Sequence, residues 1–128
     1  MKYLIDTHVL LWAFEGSDKM PKKVKDILIN PTNEICLSTI SLWEISIKVR
    51  LGKLKLDQSL EAFLDLAKSG NFTFFGLDVE YCKVQASLPL IHRDPFDRAL
   101  IATAVSEKCV LITADENIRE YSIPTLWN

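Results

Sequence analysis

Among the 17 acidic residues of this 128-residue chain, four stand where alternating strands and helices would gather them: Asp6 in YLIDTH, Glu44 in LWEI, Asp97 in DPFDRAL and Asp115 in LITADEN. Each follows or opens an apolar element, so folding can bring all of them to one rim. Two carboxylates ~5 Å apart repel by about 3 kcal/mol at an effective dielectric of ~20, so a crowd of them normally persists because a divalent cation sits among them. An all-oxygen site suits magnesium or manganese. The chemistry it supports is hydrolysis of a phosphodiester, in which the ion lowers the pKa of water and no side-chain nucleophile is needed.

Each acid also has a plain structural role open to it. Asp6 can cap a helix starting at Thr7 or His8, Asp97 can sit in a helix's first turn, and Asp115 can cap or turn the chain before ENIREY. Glu44 can lie on a solvent face or complete a capping box with Ser41. It resists that account best, because Trp43 and Ile45 flank it in ISLWEISI, and an acid on an apolar helix is costly unless paired or coordinated.

The elements that must position these acids are legible from pattern. KYLI makes a short strand arriving at Asp6, HVLLWAFEG a helix closed by Gly16, and MPKKVKDILIN a helix with Pro21 at its first turn. EICLS reads as a strand feeding a longer helix from about Thr39 to Leu51, stopped by Gly52 and carrying Glu44. SLEAFLDLAKSG and DVEYCKVQASL are helices, the second capped by Asp78, with the strand FTFFGL between them and LPLIHR as a connection. DPFDRALIATAVSEK starts a helix strongly, since Asp94 can cap and Pro95 fits the first turn. CVLIT is a continuous apolar run suited to a strand buried on both faces, ENIREY a short helix and IPTLW a final edge strand. Alternation of this kind predicts a parallel sheet wound by right-handed crossovers, with ligands bound outside the carboxyl ends of its strands where strand order reverses. Were the first strand and CVLIT neighbours there, Asp6 and Asp115 would face one crevice.

Composition bounds the rest. The net charge of -2 gives no general attraction to nucleic acid, so any such contact needs a local basic patch. Lys48, Arg50, Lys53 and Lys55 gather around the end of the Glu44 helix, and Arg93 and Arg98 flank Asp97. Of these, Arg93, Arg98 and Lys48 are candidates for holding phosphates. The plainer roles are a helix carboxyl end for Lys48 and Arg50, and pairing with an acid of the site for Arg98. Cys36, Cys82 and Cys109 are odd in number and set in apolar surroundings, which predicts reduced core thiols and a cytoplasmic protein. Asp6 and His8 interrupt the leading apolar run and no small-residue cleavage site follows, so neither secretion nor a membrane span is expected.

His8 and His92 lack partners at zinc-ligand spacing; both read as packing or supporting residues, with contact to RNA as the alternative for His92 beside Arg93. Leu11, Trp12, Phe14 and Trp43 are expected in the core, or, if exposed, at an interface.

Four stretches, YLIDTHVLLWA, SLWEISIKVRLGKL, LPLIHRDPFDRALIATA and LITADENIREY, span nearly the whole chain in order and resemble the PIN domain, within it the VapC-like ribonuclease toxins of bacterial toxin-antitoxin pairs. The resemblance implies one PIN-like α/β domain over residues 1–128, with a mostly parallel sheet of four to five strands and helices on both faces. It implies that Asp6, Glu44, Asp97 and Asp115 hold Mg2+ or Mn2+ and cut RNA, with Asp94 as an extra acid beside its role as helix cap. Thr7 and Thr113 adjoin members of the quartet and can orient them or a water, or simply satisfy local backbone groups. The resemblance further implies a cognate antitoxin lying across a groove near the acids, and a homodimer. The rival readings are a phosphorelay receiver, which lacks its paired acids and late lysine here, and a non-catalytic PIN-like binding module.

Overall fold

The computed structural model describes the chain from Met1 to Asn128. Its order is β1 (Lys2–Ile5), α1 (Thr7–Glu15), α2 (Lys22–Ile29), β2 (Glu34–Ser38), α3 (Thr39–Arg50), α4 (Leu60–Ser69), β3 (Thr73–Phe75), α5 (Val79–Ser87), α6 (Pro95–Glu107), β4 (Val110–Ile112), α7 (Glu116–Arg119) and β5 (Thr125–Leu126). The strands form one five-stranded sheet in the order β3-β2-β1-β4-β5. Every neighbouring pair is parallel, including the edge strand β5, so the sheet is wholly rather than mostly parallel.

Parallel neighbours require crossovers, and the crossover helices bury both faces of the sheet. Side chains alternate across a strand, so Tyr3 and Ile5 face one core while Leu4 faces the other. The first core joins them to Val9 and Leu10 of α1, Ile45 of α3 and Phe63 of α4. The second joins Leu4 and Cys36 to Leu100, Ile101 and Ala104 of α6, with Leu111, Ile118 and Tyr121. Three of the expected strands, FTFFGL, CVLIT and IPTLW, are shorter than their sequence runs. β3 pairs with Cys36–Ser38 of β2, and β4 pairs with Tyr3–Ile5 of β1 on one side and with Thr125–Leu126 of β5 on the other.

The chain steps outward from β1 through β2 to β3, then returns to the far side of β1 at β4. Strand order therefore reverses between β1 and β4, which are hydrogen-bonded neighbours. That junction is where a parallel sheet opens a crevice.

Helix starts follow the expected capping chemistry. Asp6, Ser59, Asp78, Asp94 and Asp115 each accept a backbone N–H in the first turn of their helix. α3 is capped by Ser38, so Ser41 lies inside the helix and forms no capping box with Glu44. Two other expectations are corrected. Cys36 and Cys109 are buried free thiols, but Cys82 faces solvent on α5. Leu11 is buried and Trp12 and Phe14 pack against the first core, whereas Trp43 stands 63% exposed because its place on α3 is turned away from the sheet. No helix is long and apolar enough to cross a membrane.

Candidate active site

Asp6 follows β1 directly and is only 4% exposed. Its Oδ1 accepts the Val9 N–H at 2.8 Å, and desolvation raises its carboxyl above the ordinary aspartate range, with the Asp115 charge acting in the same direction. The Thr113 hydroxyl, the Val9 N–H and His8 offset part of that rise. Thr113 also accepts the Asp115 N–H at 3.0 Å, so one buried threonine serves the Asp6 carboxylate and the backbone of Asp115.

Glu44 is likewise 4% exposed, on the side of α3 that faces α1. Its Oε1 accepts the Thr7 hydroxyl at 2.8 Å, and Thr7 Oγ1 lies 3.1 Å from Ser41 Oγ. A carboxylate only accepts, so the single Thr7 proton goes to Glu44 and Ser41 donates to Thr7. Thr7 thus serves a side chain rather than local backbone. Burying Glu44 unpaired would be costly, and its Oε2 is paired with Lys48 one turn on.

Asp97 lies in the first turn of α6, half-buried, with its carboxyl pushed up to about 6. Desolvation is the main cause, followed by the Asp94 charge and then by Asp115 and Glu44, while a hydrogen bond from His92 works the other way. Asp94 spends Oδ1 on the N–H groups of Phe96 (2.9 Å) and Asp97 (3.1 Å), which is the capping role. Asp115 likewise caps α7 through the Asn117 N–H at 2.8 Å. Asp6, Glu44, Asp97 and Asp115 therefore share one electrostatic neighbourhood at the carboxyl ends of β1 and β4.

The donor set, carboxylate oxygens with flanking hydroxyls, is of the kind that holds a hard divalent cation. A positive charge is already drawn there: Lys48 donates to Glu44, and that bond first, then the charges of Glu44, Asp94 and Asp97, hold its ammonium above the ordinary lysine range. No three acidic, His or Cys side chains stand at metal-holding geometry in the present rotamers. Capping bonds engage Asp6 and Asp115, and Lys48 engages Glu44.

Of the residues read as phosphate contacts, Arg93 is exposed and Lys48 pairs with Glu44. Arg98 requires correction. It is 5% exposed and its guanidinium is consumed internally, by Pro89 O (2.8 Å), Gln85 O (3.0 Å), Gln85 Oε1 (3.2 Å) and the Tyr121 hydroxyl (3.0 Å). It neither reaches solvent nor pairs with an acid of the site. His92 takes the supporting role. Its ring joins Tyr121 OH at 2.8 Å to Asp97 Oδ2 at 3.2 Å, so it faces the acids. Tyr121 went unnoticed in the sequence because no spacing rule links a residue after α7 to the start of α6.

A strand-order reversal lined by acids from four separate segments narrows the fold sharply, and the family model that matches the chain, over residues 3–124, is the PIN domain. The chain is a member of the PIN domain family. Among solved structures, this PIN domain is similar to a chain of VapBC2 from Rickettsia felis bound to a DNA fragment from their promoter, at 18% identity and TM-score 0.74, with 100% of both chains covered. It is similar to a chain of a toxin-antitoxin complex from Klebsiella pneumoniae at 20% identity and TM-score 0.66, covering 97% of this chain and 95% of that one. A third likeness is to the PIN domain endonuclease Utp24, at 17% identity and TM-score 0.55, covering 99% of this chain and 86% of that chain. At such identities the likeness is one of fold. No curated protein matches the chain.

Proposed function

We propose that this PIN domain, acting over residues 1–128 as one unit, is a Mg2+- or Mn2+-dependent endoribonuclease. In this reading it is the toxin of a toxin-antitoxin pair, cytoplasmic, homodimeric and silenced by a cognate antitoxin. The observation that carries the nuclease reading is the placement of acids at the strand reversal: Asp6 directly after β1, Asp115 after its neighbour β4, Glu44 buried on α3 and Asp97 opening α6. PIN domains are generally nucleases, and the solved neighbours from toxin-antitoxin assemblies support the toxin role.

In this proposal Asp6, Glu44, Asp97 and Asp115 hold the ion, which when bound supplies Lewis acidity to water and to the scissile phosphate. Thr7 and Thr113 fix the orientation of Glu44 and Asp6. Asp94 adds negative charge near the ion while capping α6. Arg93 and Lys48 supply positive charge to the RNA backbone, and Lys48 would be free for a phosphate were Glu44 engaged by the ion.

Incubating the purified chain with labelled RNA and Mg2+ or Mn2+, with and without EDTA, tests the activity. Cleavage that appears with metal and vanishes with chelator is expected; absence of metal-dependent cleavage points instead to a non-catalytic binding module. Co-expression with the protein encoded by the neighbouring reading frame tests the partner. A stable complex that suppresses cleavage is expected.

A further inference from the structure

Tyr121 is 3% exposed, yet its hydroxyl meets two polar groups, Arg98 Nη1 at 3.0 Å and His92 Nδ1 at 2.8 Å. The other ring nitrogen, His92 Nε2, lies 3.2 Å from Asp97 Oδ2. With the imidazole neutral, proton counting gives the direction of this chain. Arginine has no acceptor, so Arg98 donates to the Tyr121 oxygen. The tyrosine proton is then free to go to His92 Nδ1, which leaves Nε2 carrying the imidazole proton toward the carboxylate. In the opposite tautomer a bare Nε2 lone pair would face Oδ2, and the tyrosine proton would have no partner.

The relay is anchored at its far end. Arg98 is bonded to the carbonyls of Gln85 and Pro89, where α5 ends, and so ties the connection that carries His92 to α6. The His92 ring also stacks edge-on against Tyr121, with centroids 5.5 Å apart at 69°. Ring position and tautomer are therefore both set by neighbours. Asp97 Oδ2 is committed to His92, and Oδ1 receives no hydrogen bond from the protein.

We propose that Arg98, Tyr121 and His92 form a positioning relay that holds one oxygen of Asp97 and leaves the other for the cation. This rests on the metal-site reading above and adds to it residues that touch neither ion nor substrate. A partner that orients a metal-ligating group is typically worth about 10–100-fold in metal affinity. The relay accounts for why a buried arginine, a buried tyrosine and a histidine converge on one helix start.

The test is Mn2+ binding by isothermal titration calorimetry, with RNA cleavage in parallel, for the parent chain and for His92→Ala, His92→Gln and Tyr121→Phe. Glutamine can donate an amide N–H where Nε2 does. Weakening of Mn2+ binding by about 10–100-fold in His92→Ala, recovery of most of it in His92→Gln and a smaller loss in Tyr121→Phe are expected. Melting temperatures in EDTA should stay within a few degrees of the parent. Should His92→Ala fail to fold, the two near-isosteric variants carry the comparison. Mn2+ affinity of His92→Ala within twofold of the parent overturns the relay, as does His92→Gln behaving no better than the alanine variant. A parent chain that binds no Mn2+ and cuts no RNA overturns the metal-site reading itself.

Discussion

Asp97 carries its charge against its surroundings. Burial and the nearby acids raise its carboxyl from 3.8 to about 6, so the folded, metal-free protein holds that proton more tightly than the unfolded chain does. The sign of the consequence follows from linkage. Stability from this group is present at low pH and lost as pH rises from about 4 to about 6, by at most about 3 kcal/mol; the rise at Asp6 acts in the same direction. Denaturation in EDTA across pH 4 to 7 is expected to show this fall. With saturating Mg2+ the trend should weaken or reverse, because the ion needs the deprotonated carboxylates and loses affinity as pH drops through about 6. Asp97→Asn removes the repulsion and, on the proposed function, one oxygen that would hold the ion. It is expected to abolish RNA cleavage while leaving metal-free stability unchanged or up by about 1–2 kcal/mol. A variant that still cuts RNA at the parent rate would refute the assignment of Asp97.

At the scale of elements, Arg98 ties α6 to the end of α5, beside the bond from the Tyr81 hydroxyl to Glu107. Its guanidinium satisfies carbonyls at the carboxyl end of α5, where a cation also suits the helix dipole. Arg98→Met keeps the length of the side chain but strands those carbonyls, and a loss of about 2–4 kcal/mol in chemical denaturation is expected. Lysine should rescue little, since a single ammonium cannot reproduce the fork. The end of α6 offers a converse case. Lys108 closes that helix in the left-handed region, with φ 56, a conformation that glycine adopts without a Cβ clash. Lys108→Gly is expected to raise stability by about 0.5–1 kcal/mol, read as an upward shift in melting temperature.

For the whole molecule, the sheet order decides which candidate residues meet. Placing β4 beside β1 brings the segment that carries Asp115 next to the end of the strand that delivers Asp6, and α3 and α6, which pack against each other, carry Glu44 and Asp97. The receiver alternative fails on family as well as on its missing acids, since the PIN domain model spans residues 3–124. Away from the acids, the largest uncovered apolar side chain on α3 is Trp43, at 63% exposure. Because it packs little in the free chain, Trp43→Ser is expected to change stability by less than about 0.5 kcal/mol. A loss of several kcal/mol in a denaturant titration would mean that this surface is structural.

Local sequence was enough for the helix starts and the alternation of strands and helices, because capping, periodicity and turn chemistry act over a few residues; the four acids it singled out remain candidates. It left Ser41 open as a capping-box partner of Glu44, placed Cys82 in the core and offered Arg98 as a phosphate contact or the partner of an acid, and in each case the local pattern was compatible with either orientation. Which way a side chain turns depends on what packs against it from distant segments. The Ser38 cap, the inward turn of Arg98 toward Gln85 and Pro89, the pairing of Thr7 with Glu44 and the link from Tyr121 through His92 to Asp97 were decided only when the sheet closed. The types of the reactive groups were written along the chain; their partners were set by tertiary packing, since hydrogen bonds between remote residues leave no periodic trace.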